Sequence, residues 1–104
     1  MARLFWTEPA LTDLDAIAGY IALDNPLTAS RFVEKVFARV ERLQRHPKSG
    51  KRPSELPRTH YREVVVPPCR IFYRVENNDV YILYVMRCER LLQAHLLQER
   101  ERNE

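Results

Sequence analysis

The apolar positions of this chain repeat first with a helical period, then with the alternation of strands, and at the end with a helical period again. The opening Arg3-Leu4-Phe5-Trp6 is short, apolar and aromatic, which predicts a first strand. It runs into Thr7-Glu8-Pro9, where a hydroxyl, an acid and a proline mark a helix start. Leu11, Leu14, Ile17, Ala18 and Ile21 then recur at three- and four-residue intervals and predict one apolar helix face, with Asp13 and Asp15 near the positive end of the helix dipole. This helix should end near Asp24. Asn25-Pro26 can cap and open another, because the amide that proline lacks would be unpaired in a first turn anyway.

The second helix carries the clearest stripe: Ala29, Phe32, Val33, Val36, Phe37, Val40 and Leu43, opposed by Arg31, Glu34, Lys35, Arg39, Glu41, Arg42 and Arg45. Aromatic residues at helical spacing are mostly core, so Phe32 and Phe37 read as packing rather than cofactor contacts. The charged face reads as solvated, with a Glu41–Arg45 pair contributing about 0.3–0.5 kcal/mol. From His46 to Pro57 three prolines and the second of the chain's two glycines predict a loop, made basic by Lys48, Lys51 and Arg52. Three strands should follow, Tyr61 to Val66, Arg70 to Val75 and Val80 to Val85, turned by Pro67-Pro68 and by Glu76-Asn77-Asn78-Asp79 into an antiparallel meander. Leu91 to Gln98 is amphipathic and predicts a short last helix with a frayed charged tail.

The resulting β-α-α-β-β-β order with a helical tail is an α+β arrangement: a helical hairpin on a four-stranded sheet. The second helix should cover one sheet face and leave the opposite, arginine-bearing face open to a macromolecular partner. At 104 residues the chain is expected to be one domain, 1–104. Hydrophobic residues make up 45% and charged residues 30%, which suggests neither a disordered chain nor a membrane protein. No apolar run approaches the ~20 residues of a membrane helix and no secretory leader opens the chain, so a cytoplasmic location is expected. The net charge of +3 is a mild bias toward anionic partners. Cys69 and Cys88 have neither redox nor zinc spacing and read as reduced structural thiols; no metal or cofactor is expected.

Several segments, taken in order on this frame, carry a resemblance: Trp6, Ala10, Asp13-Leu14, Ile17 and Tyr20-Ile21; then Asn25-Pro26; then His46-Pro47 and Gly50; then Arg62-Glu63, Arg70-Ile71, Tyr73-Arg74-Val75 and Tyr81-Ile82-Leu83, Val85-Met86-Arg87. The chain resembles the RelE/ParE superfamily of type II toxin–antitoxin systems, which includes plasmid-stabilisation proteins, over nearly its whole length. The resemblance implies a growth-arresting toxin neutralised by a cognate antitoxin, in a homodimer or a heterotetramer with it. It also implies one of two targets: mRNA on the ribosome, cut by RelE-like members, or DNA gyrase, poisoned by ParE-like members.

Metal-free RNA cleavage needs a base for the 2′-hydroxyl, cations for the phosphorane and an acid for the leaving oxygen. By the resemblance, Arg70 stands where RelE-like nucleases carry a phosphate-contacting arginine. Arg62, Arg74 and Arg87 lie on neighbouring strands, and with a suitable register Arg62 would join Arg70 and Arg74 on one face. If the chain is an endoribonuclease, Arg70 and Arg87 should bind phosphate, with Glu63 or Glu89 as base and His60 as acid; the structural alternative is that the strand arginines pair with Glu63 or Glu76 or lie along a sheet edge. Tyr61 and Glu63 replace the family's lysines, however, and Cys88-Glu89-Arg90-Leu91-Leu92 replaces its terminal His-Tyr. A ParE-like toxin needs only a basic surface and apolar anchors. Arg62, Arg74, Arg90, Leu91, Leu92 and Leu96 are candidates, since the leucines of the tail exceed what one narrow stripe can bury. The residues favour the gyrase reading; the alternatives are the nuclease and a non-toxic binding module on the same fold.

Overall fold

Single residues at the junctions set up the first three elements. The computed structural model describes residues 1–103 and contains β1 (Leu4–Trp6), α1 (Glu8–Asp24), α2 (Pro26–Glu41), a 3-10 turn (Arg42–Gln44), β2 (Arg62–Val66), β3 (Cys69–Glu76), β4 (Asp79–Arg87) and α3 (Ala94–Arg102). The Thr7 hydroxyl accepts from the Ala10 amide and donates to the Ile82 carbonyl at 2.6 Å, so one side chain caps α1 and ties it to β4. Asn25 ends α1 by donating its amide to Ile21 and starts α2 by accepting from Thr28, which makes the hairpin tight.

The sheet runs β1-β4-β3-β2, with β1 parallel to β4 and the other pairs antiparallel. Asn77 and Asn78 turn β3 into β4 at φ 52° and 64°, the left-handed pair that matches strand twist in a two-residue hairpin. Between Phe72 and Tyr73 the β3–β4 register slips, so that Phe72 faces Tyr84, Tyr73 faces Ile82, and Leu83 is the extra residue of a bulge. The slip lets Leu83 and Tyr84, neighbours in sequence, both join the cluster on one face.

On one face α1 and α2 bury Ala10, Leu14, Phe32, Val36, Val40 and Leu43 against Val64, Ile71, Tyr73, Val80, Ile82 and Val85. Two expected stripe members lie elsewhere. Leu11 is exposed and Ala10 takes its place against the sheet, while Phe37 is exposed on the flank of α2, its ring tilted on Trp6 at 5.1 Å. The stripe also outlasts its helix: α2 tightens at Arg42, Leu43 stays buried, and the expected Glu41–Arg45 pair is absent from the ion pairs of the described residues.

The opposite face corrects the expectation of an open surface. Tyr61, Phe72, Leu83, Tyr84 and Met86 are covered there by the chain's own Leu56 loop and by Leu92, Leu96 and Leu97. Leu92 and Leu97 are buried and Leu96 partly so, and only Leu91 stays out, 76% exposed. Two buried leucines hold this cover with at most about 3–6 kcal/mol. The last helix also starts later and runs further than expected, Ala94–Arg102, because Arg100 and Glu101, assigned to a frayed tail, are anchored to the rest of the chain.

Candidate functional site

Arg70, the first nuclease candidate, projects from β3 onto the face covered by α3, over the Phe72 ring at 4.9 Å. Its guanidinium is held by two carboxylates. Glu55 takes Nη1 and Nη2 at 2.8 and 2.7 Å, and Glu63 takes Nη2 and Nε at 2.6 and 3.2 Å. Glu63 is buried, and its other oxygen lies 3.9 Å from Lys51 Nζ. Glu55 in addition accepts the Leu92 amide at 3.0 Å. Hydrogen bonds from Arg70 hold the Glu55 carboxyl down at about 2 against the opposing effect of burial, and Glu55 in turn raises the Arg70 guanidinium. Two negative charges on one positive leave nothing to attract a phosphate. The trio is a tie between the 52–60 loop, β2, β3 and the segment entering α3.

Arg74 shares this face, as alternation predicts, and is buried. Its Nη1 meets Glu76 at 2.6 Å, its Nε meets Glu101 at 3.2 Å, and it lies 4.2 Å above the Tyr81 ring. Glu101 also accepts the Tyr61 hydroxyl at 2.7 Å and contacts His60 Nε2 at 3.3 Å. Burial pushes the Glu101 carboxyl up, but the hydrogen bonds from Tyr61 and His60 and the charges around it outweigh that and leave it lowered. His60 is thus engaged in holding α3.

Arg62 does not join Arg70 and Arg74. It faces Tyr73 in the register, and its Nη1 donates to the Gly50 carbonyl at 2.8 Å. Arg87, on the far end of β4, lines a shallow cleft with Ala16, Ile17 and Tyr20 of α1, and its Nε pairs with Glu89 at 2.8 Å; that bond raises the arginine and lowers the acid. The residues of the nuclease reading are therefore spread over separate surroundings: Arg70 and Glu63 are locked together, His60 is bound to α3, and Arg87 lies against α1. Arg90 and Leu91 remain exposed. Among the described residues no group of three or more His, Cys, Asp or Glu could hold a metal ion, and no helix is long and apolar enough to cross a membrane. Cys69 is buried, which pushes its thiol up to about 11, and Cys88 is exposed; both are free.

Sequence reasoning missed the residues that organise this face: Asp13, Glu55, Arg100 and Glu101. Asp13 and Arg100 pair at 2.8 Å beside the bulge of β4. Their signal in the sequence is charge at helix positions, which within one element suggests dipole complement for Asp13 and fraying for the tail.

The four-stranded sheet, with β1 parallel to β4 and a helical hairpin on one face, defines a two-layer α+β fold. The family model "ParE toxin of type II toxin-antitoxin system, parDE" matches residues 4–92. The chain belongs to this family and is a toxin of the type II toxin–antitoxin class. It is similar to Toxin RelE2 of Caulobacter vibrioides, 37% identical over 92 residues that cover 88% of this chain and 100% of that one. It is also similar to the putative toxin Y4kP of Sinorhizobium fredii, 42% identical over 86 residues, 81% of this chain and 85% of that one. Among solved structures, the chromosomal ParDE toxin–antitoxin system from P. aeruginosa matches with a TM-score of 0.71 and 33% identity, over 86% of this chain and 98% of that chain. The YoeB–YefM complex from Staphylococcus aureus, with a TM-score of 0.55, 18% identity and coverage of 83% and 95%, shares the fold.

Proposed function

We propose that this toxin acts in the cytoplasm as a protein ligand of DNA gyrase rather than as a ribonuclease, and that a cognate antitoxin silences it. The observation that carries this reading is the Arg70–Glu55–Glu63 clamp: the arginine a nuclease would present to phosphate is neutralised inside the chain. A toxin that works by binding needs no acid, base or free cation, only exposed anchors around a complementary surface. Arg90 and Leu91, next to the tie of Glu55 to Leu92, supply one cation and one apolar side chain on a rigid support. The antitoxin reading is supported by the family match and by the likeness to a solved ParDE toxin–antitoxin system. The 1–104 chain acts as one domain in this reading, alone or as a pair within the antitoxin complex.

The test is a supercoiling assay with purified gyrase and toxin freed from antitoxin, run beside a translation reaction probed for codon-positioned mRNA cuts. Inhibited supercoiling with intact mRNA is expected, and Leu91→Glu combined with Arg90→Ala should weaken inhibition on the order of tenfold or more. Cut mRNA with unimpaired gyrase would move the protein to the ribosome-dependent class. Neither effect, and no arrest on expression without the neighbouring gene, would leave a non-toxic binding module.

A further inference from the structure

The charge of this chain is concentrated in one segment. Residues 31–62 contain ten of the seventeen Lys and Arg but three of the fourteen acids, and the remainder is net acidic. α1 carries Glu8, Asp13, Asp15 and Asp24 and no base. On α2 the core side is fixed by Ala29, Phe32, Val36 and Val40. At about 100° per residue, Arg31, Lys35, Arg39 and Arg42 fall on the same flank of that core side, within an arc of about 80°. Glu34 and Glu41 lie outside this arc. Among the described residues none of these four cations forms an ion pair, whereas Arg3, Arg70, Arg74, Arg87 and Arg100 all do.

The flank continues onto the sheet edge. α2 packs against β2, whose first residue is Arg62, so the helix lies beside the start of that edge strand. Lys51 is bridged to Glu63 along the outer side of β2, which carries the basic surface into the 46–52 loop. No exposed large hydrophobic residue interrupts the four cations: Phe37, the single one on α2 past its first turn, lies on the other flank. From Arg31 to Leu43 there is no Ser, Thr, Asn or Gln.

We propose that this flank binds the phosphate backbone of duplex DNA without reading its sequence. A protein partner would demand apolar anchors, and the strip has none. Single strands are bound on exposed aromatic platforms, and A-form RNA largely through 2′-hydroxyl contacts, which call for uncharged hydrogen-bonding side chains between the cations. A rigid row of long cations alone matches the dense, regular charge of a DNA duplex, about one negative charge per 1.7 Å of axis. The inference is independent of the target proposed above.

The test is binding of the full chain to a fluorescent 20-base-pair duplex, of arbitrary sequence, across about 50 to 200 mM salt. Four phosphate contacts predict that log K falls with log salt at a slope of about −3.6, a loss of roughly 150-fold over that range. The variant Arg31→Gln/Lys35→Gln/Arg39→Gln/Arg42→Gln should unfold at the temperature of the parent and lose most of that slope. The double Arg31→Gln/Lys35→Gln should lower the slope by about 2, and Arg3→Gln/Arg102→Gln, with the same loss of net charge, should leave it within one. Equal losses in the two double variants would overturn the assignment to this flank. No binding at the lowest salt, tighter binding of duplex RNA, or displacement of DNA by polyglutamate of matched charge would overturn the assignment to DNA.

Discussion

Asp13 on α1 and Arg100 on α3 meet beside β4, and together they satisfy backbone groups of that strand past Ile82, where its pairing with β1 ends. Asp13 Oδ2 accepts the Val85 amide at 3.1 Å, and Arg100 Nη1 donates to the Leu83 carbonyl at 2.9 Å while contacting Asp13 Oδ2 at 2.8 Å. The guanidinium also lies 3.8 Å from the centre of the Tyr84 ring. One pair thus fastens the helix layer of one face to the helix of the other.

Replacing Arg100 with alanine should therefore cost more than an exposed arginine would. Loss of two charged hydrogen bonds to one carboxylate and of one to a shielded carbonyl predicts about 2–3 kcal/mol and a fall in Tm of roughly 10–15 °C. Hydrogen exchange should quicken first in the amides of α3 and at Val85. A Tm within a degree of the parent would mean that the pair is solvated in solution and holds nothing.

Arg70→Ala should destabilise the protein by about 3–5 kcal/mol, because it strands buried Glu63 beside a distant lysine. A second change, Glu63→Gln, should recover part of that loss by removing the stranded charge. Chemical denaturation of the two variants measures both effects. A single variant as stable as the parent would show that Glu63 needs no cation, and would reopen Arg70 to a ligand.

Glu55 gives the clamp a pH dependence whose sign follows from its lowered carboxyl. Protons bind the unfolded chain near the ordinary 4.5 and the folded chain only near 2, so this stabilisation is complete above about pH 4.5 and fades as the pH falls toward 2. The stability gap between parent and Glu55→Gln should accordingly be widest near neutrality and close between pH 4.5 and 2. A gap that stays constant across that window would assign the effect to packing.

Gly50 is a position of close approach. A Cβ there would come within 2.5 Å of the Tyr73 hydroxyl and 2.7 Å of the Glu63 carbonyl. That hydroxyl accepts the Gly50 amide at 2.9 Å and donates to the Pro47 carbonyl at 2.8 Å. Gly50→Ala should cost about 1–3 kcal/mol through overpacking, and Tyr73→Phe about 1 kcal/mol through the lost bonds. Combined, the two changes should cost only a little less than their sum, since phenylalanine removes the hydroxyl but keeps the ring carbon at 2.8 Å and leaves the Glu63 carbonyl in place; full recovery of the alanine cost in unfolding experiments would place all the strain at the hydroxyl.

Much of the frame was legible because its signals are local. Thr7, Asn25-Pro26 and the Asn77-Asn78 turn mark element ends by their own chemistry, and the α2 stripe needs only one periodic face. Ala10 was missed for Leu11 because hydrophobicity favours the larger side chain, whereas the close pass of α1 over β4 needs the smaller one. Exposure of the arginine-bearing face was misjudged for a different reason. Glu63 and Glu76, legible as partners of the strand arginines, do pair with Arg70 and Arg74, but Glu55, Glu101 and Asp13, which bring the loop, α3 and α1 onto this face, lie farther along the chain and leave no local signal. The bulge at Leu83 is likewise invisible in Val80 to Met86, an unbroken apolar and aromatic run that shows no alternation to slip.

The cover over the second sheet face has a consequence for folding. α3 follows every strand that it shields, so any molecule whose sheet forms before α3 docks turns Phe72, Leu83 and Met86 to solvent. Until that docking the bare sheet is sticky, and a helper or a neighbouring gene product already present could seize it before the molecule seals itself.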